Sequence, residues 1–420
     1  MGATAGGPDG AGTHHGDGQG AQLMESAALA DLHAALRRAG YLVVGPTVRD
    51  GAIVLAELES AADLPYGWGV TLEPGGYRLR QRSDSAAFGH AAGPQSWKPF
   101  LHPPRSRLWS ARRGGGGFEV EPADEDVPRY AFLGVRPCDL RAIFIQDRVL
   151  GTGSHTGSPY ATRRSAAFII AVSCTEPGET CFCSSMGTGP QAGPGYDLAL
   201  TELTGPAGSG GHRFLVDVGS AAGAAIMAEV PHRPAADATV ADARTAVTAA
   251  ADRMGRTMPA EGLHELMAAS QGAARWDDVA SRCLTCGNCT MVCPTCFCTT
   301  VEDSSDLTGE HAERWQRWDS CFDLDFSYLH GGSVRVSGKS RYRQWLTHKL
   351  GTWHDQFGSS GCVGCGRCIV WCPVGIDITA EVAALRDEAT GTQPGSGGGG
   401  GTDVRDAQED GAEHTGPEGT

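Results

Sequence analysis

The sequence predicts an amino-terminal region of α/β or α+β class followed by a helical, cysteine-dense carboxy-terminal domain. Three observations predict this. An apolar run, a helical stretch and a second apolar run follow one another between residues 130 and 172. An Ala-rich helical stretch comes next. Beyond residue 280 one cysteine spacing occurs twice.

The elements follow in order. Ser26 to Ala39 reads as a helix with one apolar face, ended by Gly40. Tyr41–Val44 and Ala52–Leu58 flank an Arg-Asp-Gly turn and predict a strand pair. Gly76–Arg82 and Phe118–Glu121 are further strand candidates. The RRGGGG run at 112–117 reads as a loop, and no helix follows it of the kind a phosphate-binding loop needs. Tyr130–Val135, the helical Asp139–Leu150 and Ala166–Val172 imply a right-handed crossover between parallel strands. Cys138 and Cys174 then lie just past the carboxyl ends of two strands, the edge at which open α/β sheets bind ligands. Residues 235–254 are Ala-rich and read as a helix, and a domain boundary is placed near 255.

Composition narrows the classes. The chain has 420 residues and a formal charge of −15, with six acids against one base in its last 19 residues. An acidic chain lacks the basic face of a nucleic-acid binder. No apolar run approaches the roughly 20 residues that span a bilayer, and no export signal opens the sequence, so a cytoplasmic location is expected. Residues 1–22 and 391–420 are Gly-rich and poor in large apolar side chains, and are expected to be disordered tails. The folded part divides into 23–255 and 256–390. Fifteen cysteines in a chain expected to stay in a reducing compartment point to metal rather than disulfides.

Two segments carry the decisive signal: Cys283-x2-Cys286-x2-Cys289-x3-Cys293-Pro294 and Cys362-x2-Cys365-x2-Cys368-x3-Cys372-Pro373. This is the spacing of bacterial [4Fe–4S] proteins, in which the fourth cysteine serves the other cluster. Three thiolates two residues apart curl around one cubane, and the fourth lies on the next helical turn and points away. Cluster I is therefore assigned Cys283, Cys286, Cys289 and Cys372. Cluster II is assigned Cys362, Cys365, Cys368 and Cys293. The cross-over should hold the clusters close enough for fast electron hopping. Gly287 and Gly366 are expected to relieve crowding against the inorganic core. Zinc also uses C-x2-C pairs, but two pairs rather than a duplicated triple with a trailing C-P.

Sixty-eight residues separate Cys293 from Cys362. Within them HAERWQRWDSCFDLDFSYL and SRYRQWLTHKLGTW are rich in helix formers, so a helical ferredoxin-like domain is expected. The basic stretch Arg335–Lys349 reads as a solvated or cluster-flanking face, with partner docking as the alternative. Seven cysteines remain. Thr180-Cys181-Phe182-Cys183 recurs as Thr295-Cys296-Phe297-Cys298. Cys138, Cys174, Cys181 and Cys183 form a candidate third cluster or metal site; the alternative is buried free thiols. Cys296, Cys298 and Cys321 could equally contribute, or tune cluster potentials from outside the ligand set.

The segments VVGPTVRDGAIVLAEL, YRLRQRSD, GPQSWKPFLHPPR, LGVRPCDLRAI, SCTEPGETCFCSSMGTGP, CLTCGNCTMVCPTCFC, WDSCFD and GCVGCGRCIVWCPVGIDI span roughly residues 41–380. On them the chain resembles the family that joins the iron–sulfur relay subunit of anaerobic sulfite reductase to the beta subunit of sulfhydrogenase-type [NiFe] hydrogenases. The resemblance implies a carboxy-terminal part similar to helical ferredoxins. It also implies an electron conduit between a catalytic hydrogenase or sulfite reductase subunit and a flavin- and NAD(P)H-binding subunit. All eight ferredoxin cysteines carry over. The long Gly-rich tails depart from the family pattern.

No catalytic residue is assigned: His102, His264, His348 and His354 are scattered, none in a nucleophile or hydrolase context. The competing reading is a self-contained flavin- or disulfide-dependent iron–sulfur reductase. The lack of a strand followed by G-x-G-x-x-G weakens it.

Overall fold

The computed structural model describes residues 20–122, 127–151, 159–205 and 211–391. The expected tails at 1–22 and 391–420 lie outside the described residues except at 20–22 and 391.

An eight-stranded mixed sheet organises the first half. In spatial order its strands are Arg233–Pro234, Gln22–Glu25, His212–Val218, Leu198–Thr204, Phe168–Val172, Tyr130–Val135, Leu42–Arg49 and Ala52–Glu57. The four from Leu198–Thr204 to Leu42–Arg49 run parallel. The expected crossover is present: helix Pro137–Leu150 lies between Tyr130–Val135 and its parallel neighbour Phe168–Val172. A second helix, Pro159–Ala166, takes the start of the apolar run expected to be strand.

Central parallel strands are covered on both faces, which is why FIIAV is apolar throughout rather than alternating. Phe168, Ile170 and Val172 face one core with Leu29, Leu32 and Leu36 of helix Leu29–Arg38. Ile169 and Ala171 face the other with Leu140 and Ile143 of helix Pro137–Leu150. At the sheet edge, Leu42–Arg49 and Ala52–Glu57 form the expected pair. Asp50 and Gly51 both take positive φ, +49° and +75°, the conformation a two-residue hairpin needs to match the strands' twist.

The second half corrects one expectation. HAERWQRW is not helical; His311–Trp318 is a strand. It pairs antiparallel with Thr299–Ser305 on one side and with Arg105–Gly114 on the other, and Gly117–Pro122 completes a four-stranded sheet. Helix propensity loses here to contacts that only a sheet supplies. Arg314 forks onto Asp303 at 2.6 and 2.7 Å, Arg317 pairs with Glu302, and the Arg105 guanidinium lies 4.0 Å above the Trp315 ring. The sheet therefore unites a hairpin from before residue 123 with one from beyond 298. Arg112 and Arg113 of the Gly-rich run belong to its strands, and only 115–116 are turn. The other helix-rich segment is helical: Gly338–Thr347, a π-turn over His348–Thr352, and Trp353–Phe357. No described helix is long and apolar enough to cross a membrane.

Candidate metal centre

The first loop leaves helix Arg275–Arg282 at Cys283, whose N–H still bonds the Val279 carbonyl. It turns through Gly287 (φ +75°) into the one-turn helix Asn288–Met291, which carries Cys289. The second loop repeats this, with Gly366 (φ +75°) opening Arg367–Val370 and its Cys368. Cys293 and Cys372 follow the two short helices. A Cβ at Gly366 would stand 2.5 Å from the Thr180 carbonyl oxygen. Left-handed backbone and a neighbouring protein loop thus require the glycine.

Cys283, Cys286, Cys289 and Cys372, the four thiols assigned to cluster I, line one cavity. Phe322, Tyr342 and Trp345 wall it from behind, with Ile376 and Ile378. The Thr285 N–H points at Cys283 Sγ at 3.4 Å, and such N–H donors stabilise sulfur that carries negative charge. Burial pushes the Cys283 and Cys289 thiols up, Cys289 well above the ordinary value, with the other cavity thiols adding to the rise. Cys368 of the second motif lines the cavity as well, and five crowded thiols in an apolar pocket are costly as thiolates unless a cation joins them. The donor set therefore fits an iron–sulfur cluster.

Cys362, Cys365, Cys368 and Cys293 form a second group. Burial raises the first three, and Cys293 is among the charges acting on each. The Gly364 N–H approaches Cys362 Sγ at 3.5 Å. Lys349, on the π-turn and 3% exposed, donates to Cys293 Sγ at 3.4 Å, Thr295 Oγ1 at 3.1 Å and the Gly361 carbonyl at 3.3 Å. Burial opposes its charge, yet Cys293, Cys296 and Cys362 outweigh burial and hold its pKa well above the usual lysine value. Arg367 forks onto Asp139 at 2.6 and 2.8 Å, with both side chains under 5% exposed. This pair ties the second loop to the start of helix Pro137–Leu150, one residue from Cys138.

Sequence reasoning read Arg335–Lys349 as a solvated or cluster-flanking face without singling out Lys349, which takes the cluster-flanking place. A signal was present. Tyr342, Trp345, Leu346, Lys349 and Trp353 recur at helical spacing, so the lysine shares the apolar face.

Cys138, Cys174, Cys181 and Cys183 are brought into one neighbourhood. Cys138 opens helix Pro137–Leu150 and Cys174 follows strand Phe168–Val172, both past the carboxyl ends of adjacent parallel strands. Burial raises Cys181 to about 12, with Cys174 adding to it. Burial also raises Cys183, with Cys174 and Cys181 contributing, and Cys183 in turn acts on Cys138. Arg136 lies 3.8 Å from Cys174 Sγ. The loop that carries Cys181 and Cys183 packs on the second ferredoxin loop: the Phe182 N–H bonds the Gly364 carbonyl at 2.9 Å. Among the described residues no three His, Cys, Asp or Glu side chains converge on a single ion. A cubane holds its thiolates apart at its corners and needs no such convergence. Of the four histidines singled out in the sequence, the rings of His264 and His354 lie 6.0 Å apart and tilted, His348 bonds Gln356, and His102 stacks on Trp318.

The comparisons agree with this geometry. Residues 282–376 match the 4Fe-4S dicluster domain family. Over 295 residues the chain is 34% identical to sulfhydrogenase 2 subunit beta of Pyrococcus furiosus, covering 69% of this chain and 82% of that protein. The chain belongs to the sulfhydrogenase beta-subunit family. Membership makes it an iron–sulfur protein of hydrogenase type, and the dicluster match spans all eight cysteines of the two motifs.

Proposed function

We propose that the chain is the electron-relay component of a multi-subunit oxidoreductase. Cys283, Cys286, Cys289 and Cys372 hold one [4Fe–4S] cluster, and Cys362, Cys365, Cys368 and Cys293 hold a second. Electrons pass between a catalytic subunit of hydrogenase or sulfite reductase type and a flavin- and NAD(P)H-binding subunit, in the cytoplasm. The observation that carries this reading is the shared cavity of cluster I, in which Cys372 and Cys368 of the second motif stand with three thiols of the first. The clusters supply one-electron redox chemistry. The residues of this chain bury the thiolates, direct N–H donors at sulfur and place Lys349 against Cys293.

Cluster I is the end that meets a partner: Leu284 beside it is 61% exposed and Cys286 is exposed. Cys138, Cys174, Cys181 and Cys183 hold a third cluster beyond cluster II, and replacing Cys181 with Ser should then remove iron and one EPR component. The whole reading is tested on anaerobically purified chain. About eight iron atoms for the two motif clusters are the minimum expected. Colourless protein, or zinc in place of iron, would overturn it. Bound flavin, or NAD(P)H oxidation by the chain alone, would instead establish a self-contained reductase.

A further inference from the structure

A cleft of about 590 Å³ lies in the first half of the chain, with no cysteine among its lining residues. Its size falls within the roughly 300–1,000 Å³ of ligand pockets. It opens at the carboxyl edge of the parallel strands, where open α/β sheets bind ligands. Leu203, Thr204 and Gly205 bring in the end of strand Leu198–Thr204. Thr175 and Glu176 follow the end of its parallel neighbour Phe168–Val172. Helix Asp237–Asp252 lines one side with Asp242 and Ala246, one turn apart. Arg213, on strand His212–Val218 directly opposite Leu203, stands in the wall.

Arg213 supplies the second, independent observation. Its Nε is buried and bonds nothing, and a buried guanidinium N–H is costly to leave unpaired. Three carboxylates around it are engaged elsewhere. Glu25, opposite Arg213 in the ladder on its other side, pairs with Arg233 at 2.9 Å. Glu202 accepts the Ala87 and Phe88 N–H groups at 2.7 and 2.8 Å and faces His212 at 2.7 Å. Glu176 lies 3.5, 3.7 and 3.5 Å from Arg80, Arg82 and Arg253. Arg82 also forks onto Asp84, with both contacts at 2.7 Å. That corner of the cleft therefore sets two carboxylates among three guanidiniums. Asp242 faces the cleft from the helix and is exposed.

The lining also restricts the ligand. No aromatic ring stands among its residues, so a flavin or nucleobase finds no stacking face there. Thr175, Thr204 and Asp242 offer partners for hydroxyl groups instead. We propose that this cleft binds a hydroxylated aliphatic oxyanion, a sugar acid or a sugar phosphate. Its anionic oxygens lie on the Arg213 guanidinium and its hydroxyls on Thr175, Thr204 and Asp242. Carboxylate and phosphate both accept the guanidinium's N–H donors, which is the chemistry the two classes share. A bare anion would gain Arg213 but meet the Asp242 carboxylate, whereas a ligand with hydroxyls beyond its anionic end satisfies both. The site goes beyond the electron-relay reading and does not depend on it.

The test titrates full-length, anaerobically purified chain in a calorimeter with gluconate, glucose 6-phosphate, inorganic phosphate and FMN. Gluconate or glucose 6-phosphate should saturate one site per chain, and the tighter of the two names the anion. Inorganic phosphate and FMN should bind more weakly than that probe by about tenfold or more. Arg213→Gln and Asp242→Asn should each weaken it by about tenfold, the loss of a charge-assisted hydrogen bond. Iron content and EPR spectra equal to those of the wild type check the folding of both variants. If Arg213→Gln fails that check, the exposed Asp242→Asn decides. Absence of saturable binding by both sugar derivatives overturns the proposal. So does unchanged affinity in a variant that keeps its iron, or FMN or inorganic phosphate as the tightest ligand.

Discussion

The two ferredoxin loops share one cysteine spacing and live in opposite surroundings. Around the first, Leu284 is 61% exposed, Cys286 is exposed and Met291 is 36% exposed. In the second, Cys362 is 9% exposed, Val363 2% and Ile369 fully buried. The motif fixes what can be ligated, whereas the elements packed on each loop fix where its electrons can go. A cluster behind an exposed rim can meet another subunit directly. A cluster enclosed by the 178–189 loop, Lys349 and helix Pro137–Leu150 would serve as an internal station.

The hardest test of this pairing is the ligand cross-over. Cys372→Ser lies in the second motif but should abolish the EPR signal of the exposed cluster I, and Cys293→Ser should abolish that of buried cluster II. Each should cost about four iron atoms per chain. If each variant instead damages the cluster of its own motif, the loops are independent and the comparison fails.

The dicluster domain was legible in the sequence because cysteine spacing is a local property. The parallel pair Tyr130–Val135 and Phe168–Val172 was legible for the same reason, from runs apolar enough to be buried on both faces. His311–Trp318 was not. Its partners at 105–114 lie some two hundred residues away, and the Arg105–Trp315 and Arg314–Asp303 contacts that make it a strand exist only once the sheet has formed. The enclosure of the second loop was half legible. The repeated Thr-Cys-Phe-Cys marked both segments as special, and Thr180 and Thr295 prove fully buried against that loop. Nothing in the spacing shows that Gly364 and Gly366 abut the 180–183 segment, or that Thr295 meets Gly361.

The next largest effect concerns the clamp that belongs to the second loop alone. Asp139→Ala leaves the Arg367 guanidinium buried without its carboxylate. Breaking such a pair from one side costs about 3–5 kcal/mol. Urea unfolding should register the loss, and cluster II should release iron before cluster I. Equal loss from both clusters would mean that Asp139 supports the whole fold rather than one loop.

Lys349 should separate the clusters electrochemically. Its ammonium at 3.4 Å from Cys293 Sγ favours the more negatively charged, reduced state of cluster II. Lys349→Met should therefore lower the potential of cluster II in an EPR-monitored redox titration and leave cluster I where it was. An unchanged cluster II potential would mean that the lysine's charge is balanced elsewhere.

The smallest expected effect lies at the exposed end. Leu284 buries little of itself in this chain, so Leu284→Asp should change stability by no more than about 0.5 kcal/mol, as surface substitutions do. It should leave iron content and both EPR signals intact. If cluster I is where electrons enter or leave, a carboxylate set on its rim must be desolvated whenever a partner closes over the cluster, and it adds negative charge beside an electron acceptor. Both effects slow intersubunit transfer in the assembled complex while sparing the chain itself. The readout is the rate of cluster reduction by the physiological donor complex, compared with reduction by dithionite, which needs no docked partner. A slower physiological rate with an unchanged dithionite rate places the partner at the first loop. Equal rates in both assays would move the contact elsewhere and leave the exposure of Leu284 without a role in electron transfer.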